Sequence, residues 1–182
     1  TLIQEVAYAE LPEMVRRRAH LAAIEAIERL RPDDVDRLAR HYRGAGPEAD
    51  SARALAVLLA AGERAWSVYA NEEAAEHYST ALALMRQGGN RVEGGGEVPS
   101  TLNSLPPYTL LDLLERLGEA WERIGERSAA IEAWTEALGL LPEGQQDTGP
   151  SAGKAVAVAR LRRRLALAEW DRGHFDVAKA HL

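Results

Sequence analysis

The chain has 182 residues, with 22 Lys and Arg against 28 Asp and Glu, and its formal net charge of −6 disfavours nucleic acid as a partner. No apolar run approaches the roughly 20 residues that a membrane span needs, so we expect no membrane-embedded segment. The absence of cysteine excludes disulfides and thiol chemistry and fits a cytoplasmic protein, while the single Phe among abundant Ala, Leu, Arg and Glu favours an all-α fold.

Residues 1–46 predict one antiparallel pair of helices that follows a truncated upstream domain. Pro12 suits the first turn of a helix over 12–30. Pro32 begins a second helix, which ends near Tyr42 at a Gly-rich turn. The sequence begins without Met and ends within a helical pattern, and we therefore expect it to be a piece of a longer protein.

The rest of the chain, 47–182, predicts a helical hairpin that occurs three times. The clearest copy covers 111–144. It places large, small and aromatic residues at helical spacing, namely Leu114, Leu117, Gly118, Trp121, Ala130, Trp134 and Ala137. The turn between its two helices falls at Gly125. This pattern predicts two short helices that pack closely against each other.

The same order of residue sizes recurs on both sides of the clearest copy. It appears 56 positions earlier, in 55–88, where Gly62 takes the place of Gly118. It appears again 48 positions later, in 159–182, where the second helix is truncated. Two Gly-rich insertions separate the three copies, at 88–107 and at 143–153.

The spacing in 111–144 resembles that of tetratricopeptide (TPR) repeats. Leu114 replaces a Trp and Trp121 replaces a Tyr of that pattern, and both substitutions keep a large apolar side chain. The small Gly118 lets two helices approach closely, and Trp134 fills the space beside them. The resemblance implies an all-α, right-handed TPR-like superhelical solenoid of antiparallel helix hairpins, since one hairpin cannot bury its apolar face alone.

A narrower resemblance covers residues 1–86. The segments that carry it read LIQEVAY at 2–8, LPEMVRRRAHLAAIEAIE at 11–28, RLARHY at 37–42 and AGERAWSVYANEEAAEHYSTALAL at 61–84. They look like the region after the ATPase core of signal-transduction ATPases with numerous domains (STAND). These include LuxR-type transcriptional regulators and ATPase–TPR proteins attached to adenylate or guanylate cyclases. The resemblance implies a TPR sensor region of a bacterial regulator, with a cyclase or DNA-binding output domain outside this sequence.

No motif in the sequence predicts catalysis, and we expect the protein not to be an enzyme. The stretch 149–155 differs from a phosphate-binding loop, since three residues rather than four separate its glycines and Ala155 stands where a Mg²⁺-binding Ser or Thr belongs. The five histidines lack the spacing of a helical metal site, and the serines lack a nucleophile-elbow context. The sequence therefore predicts no catalytic residue, no metal site and no cofactor.

The outer stripe of the clearest copy is the best indication of function. In a TPR array the first helix of each repeat lines a concave groove. Matching positions on the three first helices predict the lining of that groove: Glu63, Trp66, Asp112, Glu115, Glu119, Glu122, Arg160, Arg163 and Trp170. Trp and Arg are favoured anchors of binding sites. We therefore expect a protein or peptide partner, or neighbouring domains of the same chain, in a mixed aromatic, acidic and basic groove.

Two alternatives remain open at this point. Trp66 and Trp170 could pack between repeats instead of binding a partner. The chain could also be a structural scaffold or self-association arm of a larger adenylate or guanylate cyclase or ATPase. A homo-oligomer would then be held by the acidic middle and the basic end, and its association would weaken with salt.

Overall fold

The structure is a computed structural model that describes residues 10–88, 110–141 and 152–181. All regular elements in these ranges are helical. The start of the chain and almost all of the two predicted insertions lie outside the described residues.

Eight α-helices follow one another in the described ranges. They are α1 (Glu13–Leu30), α2 (Val35–Ala45), α3 (Ser51–Ser67), α4 (Asn71–Gly88), α5 (Leu110–Ile124), α6 (Arg127–Gly139), α7 (Ala152–Asp171) and α8 (Phe175–Ala180), with a short 3-10 turn, Gly46–Glu48, between α2 and α3. Each helix packs mainly against the helix before it and the helix after it. The helices therefore form four consecutive hairpins, α1–α2, α3–α4, α5–α6 and α7–α8.

Aspartate caps set the beginnings of α2 and α3. Asp34 and Asp50 each accept a hydrogen bond from the backbone N–H three residues further on, at 3.4 and 2.9 Å. Such a cap satisfies one of the backbone donors that a helix start leaves free. Helix α2 begins at Val35, three residues after the predicted Pro32, because Asp34 and not the proline caps it.

One residue in the left-handed conformation makes the turn inside each of the last three hairpins. Gly125, with φ of 95°, joins α5 to α6, and Gly173, with φ of 80°, joins α7 to α8. Tyr69, with φ of 62°, takes the same place between α3 and α4 and is the one non-glycine residue with positive φ in the described ranges. This conformation is unfavourable by about 1–2 kcal/mol for a residue that has a Cβ atom. Glycine would therefore be the unstrained residue at position 69.

Close contacts between a glycine and an aromatic ring hold two of the hairpins together. Gly118 of α5 lies against the fully buried Trp134 of α6, and a Cβ added to Gly118 would be 2.2 Å from the Trp134 Nε1. Gly62 of α3 lies in the same way against Tyr78 of α4, where an added Cβ would be 2.5 Å from the ring. The repeat spacing predicts both contacts, and they make α3–α4 and α5–α6 TPR-like hairpins.

A continuous apolar core runs from α1 to α7. Its fully buried members include one leucine from each hairpin, Leu38, Leu58, Leu114 and Leu161. The prediction of all-helical, TPR-like hairpins is confirmed for the described residues. The right-handed superhelical path and the domain boundary at residue 46 remain predictions. None of the described helices is both long and apolar enough to cross a membrane.

Candidate interaction surface

The predicted groove residues all lie on the first helices of the last three hairpins. Glu63 and Trp66 belong to α3, the four acidic residues to α5, and Arg160, Arg163 and Trp170 to α7. Ion pairs run directly from α3 to α5 and from α5 to α7, so these helices lie side by side. We call their shared surface the first-helix face. It consists of the nine predicted residues together with Arg116, Arg123 and Arg164.

Between α3 and α5, the predicted residues contact arginines of their own chain. The guanidinium carbon of Arg123 lies 3.5 Å from the centre of the Trp66 ring, and that of Arg116 lies 5.4 Å from it. Glu63 lies 3.4 Å from the Arg116 Nε and accepts a hydrogen bond from the Tyr78 hydroxyl at 2.7 Å. A cation over an aromatic face is attractive. Trp66 therefore helps to join two hairpins.

Between α5 and α7, the acidic stripe meets a basic helix. Arg160 lies 2.5 Å from the Glu115 carboxylate, and Arg164 lies 2.5 Å from the Glu119 carboxylate. Arg116 lies 3.5 Å from Glu119 on the same helix. The Glu115 and Glu119 side chains are only 13% and 20% exposed, so salt screens these pairs less than it would screen open surface charges. Part of the predicted acidic surface is thus neutralised within the chain.

Five of the predicted groove residues are exposed, namely Asp112, Glu122, Arg160, Arg163 and Trp170. Trp170 is 53% exposed and meets Phe175 edge-to-face, with ring centres 4.7 Å apart. Arg164 and its partner Glu119 are 45 positions apart. The same offset relates Glu122 to Leu167, which is 56% exposed. Arg163, Leu167 and Trp170 follow one another at about one helical turn. They form an exposed stripe, which we call the α7 stripe.

Arginines that the sequence analysis did not select make most of the contacts on the first-helix face. These are Arg116, Arg123 and Arg164. A signal existed for two of them, because Arg116 and Arg164 are 48 positions apart, the offset that relates the last two repeats. Repeat alignment can show that a position carries Arg twice. It cannot show which neighbouring helix that side chain faces.

Ion pairs connect successive hairpins in two rows, one among the first helices and one among the second helices. The two rows differ in which helix of each pair, the earlier or the later, supplies the arginine. On the first helices, the earlier helix supplies the carboxylate and the later helix the arginine, in the pairs Glu28–Arg53, Glu63–Arg116, Glu115–Arg160 and Glu119–Arg164. On the second helices, Arg43 of α2 pairs with Glu76 of α4, and its hydrogen bond lowers the pKa of that carboxyl. Arg86 of α4 lies 2.5 Å from Glu136 of α6. Here the earlier helix supplies the arginine.

Titratable groups away from these rows connect helices. Nδ1 of His20 on α1 lies 2.9 Å from Nδ1 of His41 on α2, and burial lowers the pKa of both rings. His174, at the start of α8, lies 2.7 Å from the mostly buried Glu169 of α7. In the part of the chain that the structure describes, no three His, Asp or Glu side chains come close enough together to hold a metal ion.

The repeated hairpins and their packing define a TPR-like helical-repeat protein. No family model matches the chain, and no curated protein matches it. Among solved structures, the chain is similar to one titled "Crystal structure of MamA", with 18% sequence identity and a TM-score of 0.46. The similarity covers 88% of this chain and 81% of that chain. At this level it carries no information about function.

Proposed function

We propose that this chain is a non-enzymatic protein-interaction module that binds a protein segment or effector along the first-helix face. The α7 stripe carries the proposal, because Leu167 and Trp170 are both more than half exposed and lie beside the charge of Arg163. Aromatic and Arg side chains supply much of the binding energy at protein interfaces. The exposed Glu122 of α5 adds the opposite charge on the first-helix face.

The ion pairs beside the α7 stripe support the idea of a preformed binding surface. Arg160 and Arg164 connect α7 to the carboxylates of α5. A helix that is already held in place loses less conformational freedom when a partner binds. A partner that contacts α7 and Glu122 together would therefore meet two helices in a fixed arrangement.

We place the module in a bacterial signalling or transcriptional regulator of the cytoplasm, where binding would bias an attached switch domain. The support for this context is the resemblance of residues 1–86 to the region after the ATPase core of STAND proteins. In such a protein the partner is a segment of another protein or a neighbouring domain. The output domain would be a cyclase or a DNA-binding domain.

A phage-displayed library of random peptides, panned on the purified chain, tests the binding function. We expect an enriched consensus that combines apolar and charged residues. Its binding should fall at least about tenfold in Leu167→Asp/Trp170→Ala, a loss of about 1.4 kcal/mol. The matched control Met14→Asp/Leu30→Ala changes two exposed apolar side chains of α1 and should bind like the wild type.

Two outcomes of this experiment contradict the proposed function. One is a library in which no sequence is enriched on the wild-type chain. The other is a library in which every enriched peptide binds Leu167→Asp/Trp170→Ala as tightly as it binds the wild type. Circular dichroism spectra of all variants show whether each change leaves the helices intact.

A further inference from the structure

A second surface lies where the α3–α4 turn meets the end of α5. It contains two adjoining cavities of about 470 and 770 Å³, whose walls share Glu72, Glu73 and Ile124. The smaller cavity borders Tyr69, and the larger one reaches Trp121. We call this the turn-edge surface and define it by Tyr69, Glu72, Glu73, Trp121, Ile124 and Glu126. None of these residues belongs to the predicted groove.

The floor of the turn-edge surface is apolar. Trp121 and Ile124 are partly buried, pack against the core and also line the larger cavity. At the edge of the smaller cavity, Tyr69 is 76% exposed, and the adjacent Val68 is 67% exposed. A concave site with an aromatic floor can bury a large apolar side chain of a partner.

Open carboxylates surround this floor. Three of them are exposed and make no ion pair within the described ranges, namely Glu72, Glu73 and Glu126. Glu76, which also lines the larger cavity, is held by Arg43. The Arg123 guanidinium borders the smaller cavity but lies over the Trp66 ring. The turn-edge surface is therefore negative, whereas several carboxylates of the first-helix face are paired.

Asn71 also lines the smaller cavity, and its side-chain oxygen is an acceptor without a donor. The Oδ1 atom of Asn71 is buried and receives no hydrogen bond from any described residue. A buried acceptor in this state is unfavourable until a donor reaches it.

We propose that the turn-edge surface docks a protein segment in which one large apolar side chain is flanked by Lys or Arg. The apolar side chain enters the larger cavity beside Trp121 and Ile124. The flanking cations pair with the open carboxylates at the rim. Charge complementarity selects this occupant, because the negative rim repels nucleic acid and acidic segments. The inference goes beyond the proposed function, since the α7 stripe is a separate surface.

A substitution at Tyr69 distinguishes a role in docking from a role in stability alone. It occupies the turn position that Gly125 and Gly173 fill in the next two hairpins. Replacement by glycine relieves the positive φ and removes an exposed aromatic contact. Tyr69→Gly should therefore raise the melting temperature while it weakens binding. A residue that serves stability alone would give a lower melting temperature.

The test uses a short fluorescein-labelled peptide with a central leucine between two arginine pairs, titrated with the chain and followed by fluorescence anisotropy. We expect Glu72→Lys/Glu73→Lys to bind it at least about tenfold more weakly than the wild type, and Tyr69→Gly about fivefold more weakly. The matched control Glu25→Lys/Glu132→Lys makes the same change in net charge at exposed sites outside both cavities. It should bind like the wild type.

Several results overturn the proposal. The first two are no binding by the wild type and equal binding by Glu72→Lys/Glu73→Lys. Equal binding of a peptide with serine in place of leucine would show a site for cations in general. In sedimentation velocity, a wild-type dimer that Glu72→Lys/Glu73→Lys dissociates would assign the surface to a second copy of the chain.

A failure here can be told apart from a failure of the proposed function. Leu167→Asp/Trp170→Ala changes only the α7 stripe and should keep the affinity of the wild type for the arginine–leucine peptide. If this variant loses the peptide, the two surfaces are not separate and the inference is wrong.

Discussion

At the scale of single residues, the missing side chain at position 118 lets the third hairpin close. A Cβ on Gly118 would be 2.2 Å from the Nε1 of Trp134, which is fully buried. We expect Gly118→Ala to lower the free energy of unfolding by about 1–2 kcal/mol. Overpacking of the core outweighs the ~1 kcal/mol that Ala gains over Gly in helix propensity. Urea denaturation followed by circular dichroism measures the change.

Gly139→Ala is the matched control for this prediction. Gly139 ends α6, and nothing lies within 4 Å of the position of its added Cβ. Its free energy of unfolding should therefore stay within about 1 kcal/mol of the wild type. If Gly118→Ala proves as stable as Gly139→Ala, the close contact with Trp134 does not limit the packing of the hairpin.

The sequence predicts the Gly118–Trp134 contact but not the conformation of Tyr69. A small residue and a large one at fixed spacing are readable because packing between two helices depends on their volumes. Tyr69 lies 56 positions before Gly125, so the repeat offset identifies the turn. Its residue type points away from the left-handed conformation. The contacts that hold an aromatic residue there come from tertiary structure.

At the scale of elements, two histidines join α1 to α2. Nδ1 of His20 lies 2.9 Å from Nδ1 of His41, so one ring nitrogen donates the hydrogen and the other accepts it. Burial lowers the pKa of both rings from 6.5, and the nearby charges of His20, Arg40 and Arg37 lower that of His41 further. Protonation of both rings would remove the acceptor and place two cations together.

Because of the His20–His41 pair, we expect the folded chain to be less stable against unfolding in acid. Because both pKa values are lowered on folding, the unfolded chain binds protons more readily. The contribution of the pair is full above pH 6.5 and is lost as the pH falls from there towards the folded pKa values. We expect the melting temperature of the wild type to fall between about pH 7.5 and about pH 5, the range in which histidine titrates.

His20→Gln/His41→Gln should show a smaller fall over the same pH range. The buried His77, whose pKa burial also lowers, is present in both proteins, so the difference between them reports on the pair. Differential scanning fluorimetry at several pH values measures both curves. Parallel curves for the two proteins would show that the pair does not titrate during unfolding.

Helix positions follow from the sequence more closely than the contacts between helices. The apolar period and the punctuating Pro and Gly residues locate the hairpins, and one cap, Asp34, accounts for the shifted start of α2. The helical spacing of the sequence also predicts the acidic stripe of α5. The sequence does not predict that Arg160 and Arg164 are its partners, because helical periodicity does not show on which side one hairpin packs against the next.

At the scale of the whole molecule, each hairpin depends mainly on its neighbours, as in other repeat proteins. Leu161 is fully buried in α7, and Leu161→Pro should unfold α7 and α8 because proline breaks a helix interior. We expect the amides of α3 and α4 to keep their protection from hydrogen exchange to within about tenfold. Mass spectrometry of deuterated peptides measures this, with Leu167→Ala as an exposed control on the same helix.

A simultaneous loss of protection in α3, α4 and α7 would contradict this expectation. It would mean that the chain unfolds as one cooperative unit. The continuous apolar core from α1 to α7 is compatible with either outcome. A core can be continuous while the energetic coupling between two hairpins weakens with their separation along the array.

In both rows of ion pairs, the side of a hairpin that faces the preceding hairpin carries a different charge from the side that faces the following one. The first helix of a hairpin presents arginine to the preceding hairpin and carboxylate to the following one, as Arg116 and Glu119 do on α5. A hairpin that packed against its neighbour with these two sides exchanged would bring like charges together, which is unfavourable. Each pair adds little to stability. Together the rows favour one orientation of each hairpin against the next, which a core of similar leucines and alanines cannot select by itself.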